Sequence, residues 1–282
     1  MKPMRLYNSG AALRRQIEET ALPERFAAVW ALGQAGFFLK LGDKRIVIDP
    51  YLTNSVYDSG ATMWARKFDP PLAPDELPAF DLVMSSHHHD DHMDIATLTP
   101  LSRRPGIKLA LPRAHEATVK AWGYASEQLI GLNHMETATI DGMEVKALAA
   151  QHDRFETDEQ GNHRYLGYII KYNGVTVYHA GDTIGFPELV EWLRAERIDL
   201  ALVPINGRDF ARTAKDIIGN MNYREAIDLC VAAGIDTIVP MHYGMFPLND
   251  ENPAYFVDYL YANYPQQKFH MMTVGERYIY MK

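Results

Sequence analysis

Asp81-Leu82-Val83-Met84-Ser85-Ser86-His87-His88-His89-Asp90-Asp91-His92 is the stretch on which the reading of this chain turns. Residues 81–85 form a short apolar strand that delivers the chain into six residues holding four of its eleven histidines. Read as His-x-His-x-Asp-His, the loop offers His87, His89, Asp91 and His92. One short loop thus supplies imidazole nitrogen and carboxylate oxygen for two metal ions. That mixture suits Zn, Mn or Fe and suits Ca or Mg poorly. Asp94 is placed to cap a following helix at 95–102, which ends before Pro105-Gly106.

Outward from the cluster, apolar stretches at 29–32, 37–41 and 45–49 are split by Gly33, Gly36 and Gly42-Asp43 and read as a strand meander. Downstream, residues 107–111 read as strand and 113–122 as helix. Strands at 136–140 and 144–149 meet at Asp141-Gly142, and strands at 165–171 and 175–179 meet at Asn173-Gly174. Both dipeptides are strong hairpin signals. Alternation follows: helix 188–197, strand 200–204, helix 224–233, strand 237–241, helix 254–264, then strands at 271–273 and 278–280. In the 224–233 helix, Ala226, Leu229, Cys230 and Ala233 form one apolar stripe, and Gly234 ends it. Hairpins beside strand–helix alternation predict an α/β (α+β) chain of sheets with helices on their outer faces. Residues 1–27 are expected to add a helical extension, with one or two helices at 13–28. Residues 28–282 are expected to form a single domain.

The balance of 28 basic against 36 acidic residues gives a net charge of −8. A bulk nucleic-acid surface is therefore not expected. The single cysteine, Cys230, rules out an intramolecular disulfide and reads as a buried structural thiol. No apolar run near the N-terminus resembles a signal-peptide core, and no segment approaches the ~18 apolar residues of a membrane span. The expectation is a cytoplasmic protein without a membrane partner.

Further ligands are sought where strands hand over to loops. His152, Asp182 in Gly181-Asp182-Thr183, and His242 each occupy such a position. The ordered set His87-x-His89-x-Asp91-His92, His152, Gly181-Asp182-Thr183 and His242 resembles the metallo-β-lactamase superfamily from about residue 28 to the C-terminus. The resemblance implies a four-layer αββα sandwich with its site at one edge. It assigns His87, His89 and His152 to one ion and Asp91, His92 and His242 to the other, with Asp182 bridging. Asp49, in Ile48-Asp49-Pro50, matches a family aspartate that orients a ligand or the turn beside it. His89 stands where flavodiiron oxygen reductases carry an acidic residue. Asp182 occupies a position at which true class B β-lactamases differ. Trp30-Ala31-Leu32-Gly33-Gln34-Ala35-Gly36-Phe37, Ile48-Asp49-Pro50-Tyr51-Leu52, Pro204-Ile205-Asn206-Gly207 and Gly219-Asn220-Met221-Asn222 resemble the L-ascorbate-6-phosphate lactonase branch. Known members of that branch open a sugar-acid lactone using manganese. Assembly into a homo-oligomer is also common in the family.

The resulting expectation is a hydrolase carrying two divalent ions, Mn or Zn, with Fe as a further candidate. A hydroxide bridging the ions would open a lactone or ester of a small, anionic sugar acid, phosphorylated or not. Asp91 and Asp182 carry the catalytic roles, with Asp91 moving the proton to the leaving alkoxide. The same centre serves phosphodiester cleavage equally well, and a non-catalytic metal-binding protein is the third alternative. Arg154, Arg208 and Arg212 are candidates to hold a substrate phosphate or carboxylate. Their other reading is as loop charges paired with Asp153, Asp209 and Asp216. His179 reads as a packed strand histidine or as a support for the Gly181-Asp182 turn that follows it, and His88 as a spacer that points away. The aromatic segments 64–68 and 243–246 read either as cleft wall or as core.

Overall fold

Alternation along the first strands sets the layers. In β1 (Phe26–Gly33), Ala27, Val29 and Ala31 face one apolar cluster while Ala28, Trp30 and Leu32 face another. The same division continues in β2 (Gly36–Leu41), with Phe37 and Leu39 on one side and Phe38 on the other. It recurs in β3 (Lys44–Ile48), with Ile46 and Ile48 opposite Val47. A period of two with both faces buried requires cover on each side. The computed structural model, which describes residues 6–282, supplies that cover.

The first sheet adds β4 (Leu82–Met84), β5 (Leu109–Pro112) and β6 (Leu129–Leu132). The second contains β7 (Thr137–Ile140), β8 (Met143–Ala149), β9 (Leu166–Tyr172), β10 (Val175–His179), β11 (Leu200–Pro204), β12 (Thr237–Met241) and β13 (Lys268–Phe269). The chain returns to the first sheet as β14 (Arg277–Met281). The orders are β14-β1-β2-β3-β4-β5-β6 and β13-β12-β11-β10-β9-β8-β7. Each sheet begins as an antiparallel meander and becomes parallel, at β3–β4 in the first and β10–β11 in the second. The inward faces of both sheets share one apolar cluster.

Helices close the outer faces. Leu13 and Ile17 of α1 (Gly10–Glu19), Leu98 and Leu101 of α3 (Ile95–Leu101) and Val119 of α4 (Glu116–Ala121) pack on the first sheet. Short α2 (Ser55–Asp58) lies between β3 and β4 in the chain, and short α6 (Phe210–Thr213) follows β11. Leu189 and Leu193 of α5 (Pro187–Glu196), Leu229 and Cys230 of α7 (Tyr223–Ala233), and Phe256 and Leu260 of α8 (Pro253–Asn263) join the cluster on the second sheet. The layers run helix, sheet, sheet, helix, as in the αββα sandwich. Among the described residues, no helix is long and apolar enough to cross a membrane.

Of the expected extension 1–27, residues 1–5 lie outside the described residues. Among its described residues one helix forms, because Thr20 is already extended and Leu22 precedes Pro23, which disfavours further helix. Lys40 fastens α1 to the sheet: its Nζ donates to the carbonyls of Ile17 at 2.5 Å and Thr20 at 2.7 Å. Both predicted hairpins turn through left-handed pairs, Asp141 (φ 48°) with Gly142 (φ 84°) and Asn173 (φ 53°) with Gly174 (φ 74°). The Asp94 side chain caps α3 by accepting from Ala96 N and Thr97 N. Two expectations are corrected. No strand forms at 271–273, because the last parallel strand pairs earlier, at Lys268–Phe269 against β12. The sheet also gains β6, whose partner is β5.

Candidate metal centre

Every candidate ligand lies in a loop that leaves a strand at one edge of the sandwich. β3 ends at Ile48, and Asp49 turns the chain with φ 45°, its N–H donating to Met84 O at 2.9 Å. That turn aims the Asp49 carboxylate at the loop after β4. It accepts from Ser86 N at 2.7 Å, Ser86 Oγ at 2.6 Å and His92 Nδ1 at 2.8 Å. A carboxylate accepts only, so Nδ1 of His92 carries a proton and Nε2 is the ring nitrogen turned toward the other candidate ligands. Ser86 spends its one proton on Asp49 and therefore accepts from His87 Nδ1 at 2.9 Å. The free lone pair of His87 is then on Nε2, which lies 3.0 Å from Nδ1 of His89. On its other side, His89 Nε2 faces Tyr165 Oη at 3.4 Å.

The remaining loops converge on the same spot. Asp182 follows β10 by way of Gly181, whose φ is 59° and whose missing Cβ would lie 2.8 Å from Ser86 Cβ. His242 follows β12 with φ 63°, held by its N–H to Gln34 O at 2.9 Å. Asp182 Oδ2 lies 3.2 Å from His242 Nε2 and 3.6 Å from His152 Nε2, while Oδ1 lies 3.3 Å from His92 Nε2. Asp91 Oδ1 is 3.8 Å from His92 Nε2, and Asp91 Oδ2 is 3.7 Å from His242 Nε2. The seven candidates thus fall into two groups: His87, His89, His152 and Asp182, and Asp91, His92 and His242. Within each group the ligand atoms lie within 4.8 Å of one another.

These residues fit divalent cations. Buried His92 Nε2 and Asp182 Oδ1 face each other at 3.3 Å without a well-formed hydrogen bond, and buried polar atoms left so are costly. Five imidazoles and two carboxylates make a nitrogen-rich set suited to Zn, Mn or Fe. Burial, aided by the neighbouring imidazoles, holds His87 well below the usual histidine range. Burial also pushes His89 down to about 4. Both are therefore neutral at pH 7, as ligand imidazoles must be. Burial opposes charge on His92 and on Asp182. The carboxylates of Asp182, Asp91 and Asp49 nevertheless hold His92 well up, and His242 and His92 hold Asp182 well down. An entering cation would displace the second proton of His92, on Nε2, while Nδ1 keeps its bond to Asp49, so metal binding there is pH-dependent.

A cleft of about 250 Å³ opens onto Asp91, His152, Asp182 and His242. Val56, Trp64, Ile217, Ile218 and Phe246 form its apolar wall, with Asp90, Asp216 and Asn249 as polar groups. No lysine or arginine is among the described residues lining it. Trp64 and Phe246 form cleft wall, whereas Phe68 and Met245 are buried in the cluster behind them. The three candidate arginines lie elsewhere. Arg154 is 77% exposed and 3.7 Å from Glu156. Arg208 makes two bonds to Glu225, of 2.8 and 2.6 Å. Arg212 donates to Asp209 Oδ2 at 2.5 Å and to Asn206 O at 2.6 Å.

His88 is exposed and its ring lies 5.0 Å from that of His115. His179 is more than packing: Nε2 donates to Ala35 O at 2.8 Å and Nδ1 accepts from Gly181 N at 3.2 Å, joining two site loops. Gln34, Ser86 and Tyr165 touch the candidate ligands and carry no sequence signal beyond their neighbours. Gln34 lies 57 positions before the Asp91 it contacts.

The β-lactamase superfamily domain model matches residues 44–243. A UPF0173 metal-dependent hydrolase of Nitratidesulfovibrio vulgaris is 30% identical over 248 residues, covering 86% of this chain and 91% of the relative. One from Pyrococcus furiosus is 33% identical over 230 residues, covering 80% and 88%. Among solved structures, a metallo hydrolase from the hyperthermophilic archaeon Ignicoccus hospitalis superposes with a TM-score of 0.72 at 24% identity, covering 91% of this chain and 99% of its own. An isothiocyanate hydrolase from Delia radicum gut bacteria gives 0.71 at 18% identity, covering 90% and 100%. With its candidate ligand groups assembled at the edge of an αββα sandwich, the chain belongs to the metallo-β-lactamase superfamily, among its metal-dependent hydrolases.

Proposed function

We propose that this chain hydrolyses a lactone or ester of a small sugar-acid derivative at a centre of two divalent cations, Mn or Zn. The observation that carries the reading is the Asp182 carboxylate, which reaches candidate ligands of both groups: His92 at 3.3 Å and His242 at 3.2 Å in one, and His152 at 3.6 Å in the other. When bound, such cations activate a water for attack and stabilise the negative charge that develops on the carbonyl oxygen.

The side chains have distinct tasks. Asp182 spans both ligand groups and fixes their separation. Gln34 donates to Asp91 Oδ2 at 2.9 Å, which leaves Oδ1 free. Asp91 Oδ1 takes the proton from the attacking water and returns it to the leaving alkoxide as the acyl C–O bond breaks. The products are a carboxylic acid, which ionises in water, and an alcohol. Val56, Trp64 and Phe246 shed water from the carbonyl carbon's surroundings. A neutral, hydroxyl-bearing substrate suits this cleft better than a phosphorylated one, since the lining offers acidic groups and no basic ones. The same lining counts against a phosphodiester.

The test is turnover by protein reconstituted in turn with Mn, Zn and Fe. The panel contains sugar-acid lactones with and without phosphate, aryl esters, an isothiocyanate and a bis-aryl phosphodiester. The expected result is fastest turnover of an unphosphorylated lactone or ester. Faster cleavage of the phosphodiester would overturn the reading.

A further inference from the structure

Gln34 touches two of the seven ligands, and both belong to the same group. It sits in the turn between β1 and β2 with φ 55° and is only 4% exposed. Nε2 donates to Asp91 Oδ2 at 2.9 Å and lies 3.3 Å from each ring nitrogen of His242. The Gln34 carbonyl also accepts from His242 N at 2.9 Å. Its Oε1 has no partner, so the amide's polar contacts are all on the Nε2 side. The other group is held by different residues: His87 by Ser86, and His89 by Tyr165.

We propose that Gln34 is a positioning residue for one cation only, the one held by Asp91, His92 and His242. Asp91 needs such a tether. Its side chain is 19% exposed on the cleft side, and without a donor on Oδ2 the carboxylate is free to rotate about its own bonds. Gln34 pins one oxygen and so aims the carboxylate between His92 and His242. Asp49 does the equivalent for His92 from the far side. Losing a partner that orients a ligand typically lowers metal affinity by about 10–100-fold. Loss of the Gln34 amide therefore makes the two cation sites unequal, while the group around His87 keeps its own supports.

The inference rests on the two-cation reading, and one experiment lets the two fail separately. Metal-free full-length protein is titrated calorimetrically with Zn²⁺ as wild type and as Gln34→Met, which keeps the volume and removes the donor. Metal-free melting temperatures are measured beside the titration, as a check on folding. Wild type should bind two ions. Gln34→Met should bind one ion with unchanged affinity and the other about 10–100-fold more weakly, with an unchanged metal-free melting temperature. In a His152→Ala background, the ion that remains should be the one that Gln34→Met weakens. Gln34→Asn, whose amide is drawn back by one methylene, makes the same test should the methionine variant fold poorly. Two ions at wild-type affinity, or equal weakening of both, would overturn the role of Gln34. A wild type that binds no ion would instead overturn the two-cation reading.

Discussion

Asp49 Oδ2 accepts from His92 Nδ1 at 2.8 Å, with both side chains fully buried. This one bond places a proton on Nδ1 of a candidate metal ligand. It also ties the loop after β3 to the loop after β4, because the same carboxylate holds Ser86. Asp49→Ala leaves three buried donors unpaired, at about 1–3 kcal/mol each before relaxation. The metal-free protein should lose about 2–5 kcal/mol in urea unfolding. Competition with a chelator should show about 10–100-fold weaker metal binding.

The arginines should separate from the chemistry. Arg154 is exposed and points at Glu156, so Arg154→Ala should leave kcat/KM within about threefold, as surface changes away from special features usually do. Arg208→Ala breaks the pair with Glu225 and the bond to Asn220 O. It should loosen the loop before α7 and lower thermal stability, while kcat stays near wild type. Steady-state kinetics beside thermal melts make the comparison.

The loop that carries Ile217 and Ile218 into the cleft hangs on three buried asparagines. Asn206 Nδ2 donates to Asn249 Oδ1 at 2.8 Å, and Asn220 Nδ2 donates to Asn206 Oδ1 at 3.0 Å. Asn206→Ala leaves the partners unsatisfied and should cost about 2–4 kcal/mol. Gly219→Ala is expected to be worse, since the new Cβ would lie 2.0 Å from Gly207 O. KM should rise in both variants because the apolar wall moves. Urea midpoints and KM on the best substrate check this.

His115 supplies a pH dependence away from the ligands. It is buried, and its Nε2–H donates to Arg164 O at 2.9 Å. Burial pushes its pKa down to about 4 from 6.5. The unfolded chain therefore takes up this proton first as pH falls. The stabilising contribution is complete above about 6.5 and is lost as pH drops toward about 4, by at most about 3 kcal/mol. Metal-free wild type should lose more stability between pH 7 and 4.5 than His115→Gln. Equal losses in the two proteins would exclude this role for His115.

Much of this fold is written in local signals. Asp141-Gly142 and Asn173-Gly174 can adopt the left-handed pairs that tight hairpins demand, so both turns are legible from two residues each. The apolar stripe of α7 and its Gly234 stop are equally local. The candidate ligands are legible because each follows a strand, and strands of both sheets end at one edge. What escapes a linear reading is pairing over distance. Lys268–Phe269 is a two-residue strand whose identity comes from β12. Glu225 spends itself on Arg208 only because the loop folds back on α7. Gln34 sits in a turn with ordinary turn chemistry, and its role exists only once β12 brings His242 beside it.

The central claim is that Asp182 lies between two cations. Anomalous diffraction from crystals of the Mn- or Zn-loaded protein tests it most directly. The account predicts two peaks about 3.5–4 Å apart, one beside His87, His89 and His152, the other beside Asp91, His92 and His242, with the Asp182 carboxylate reaching both. A single peak remote from Asp182, or none in protein shown to be loaded, would contradict it.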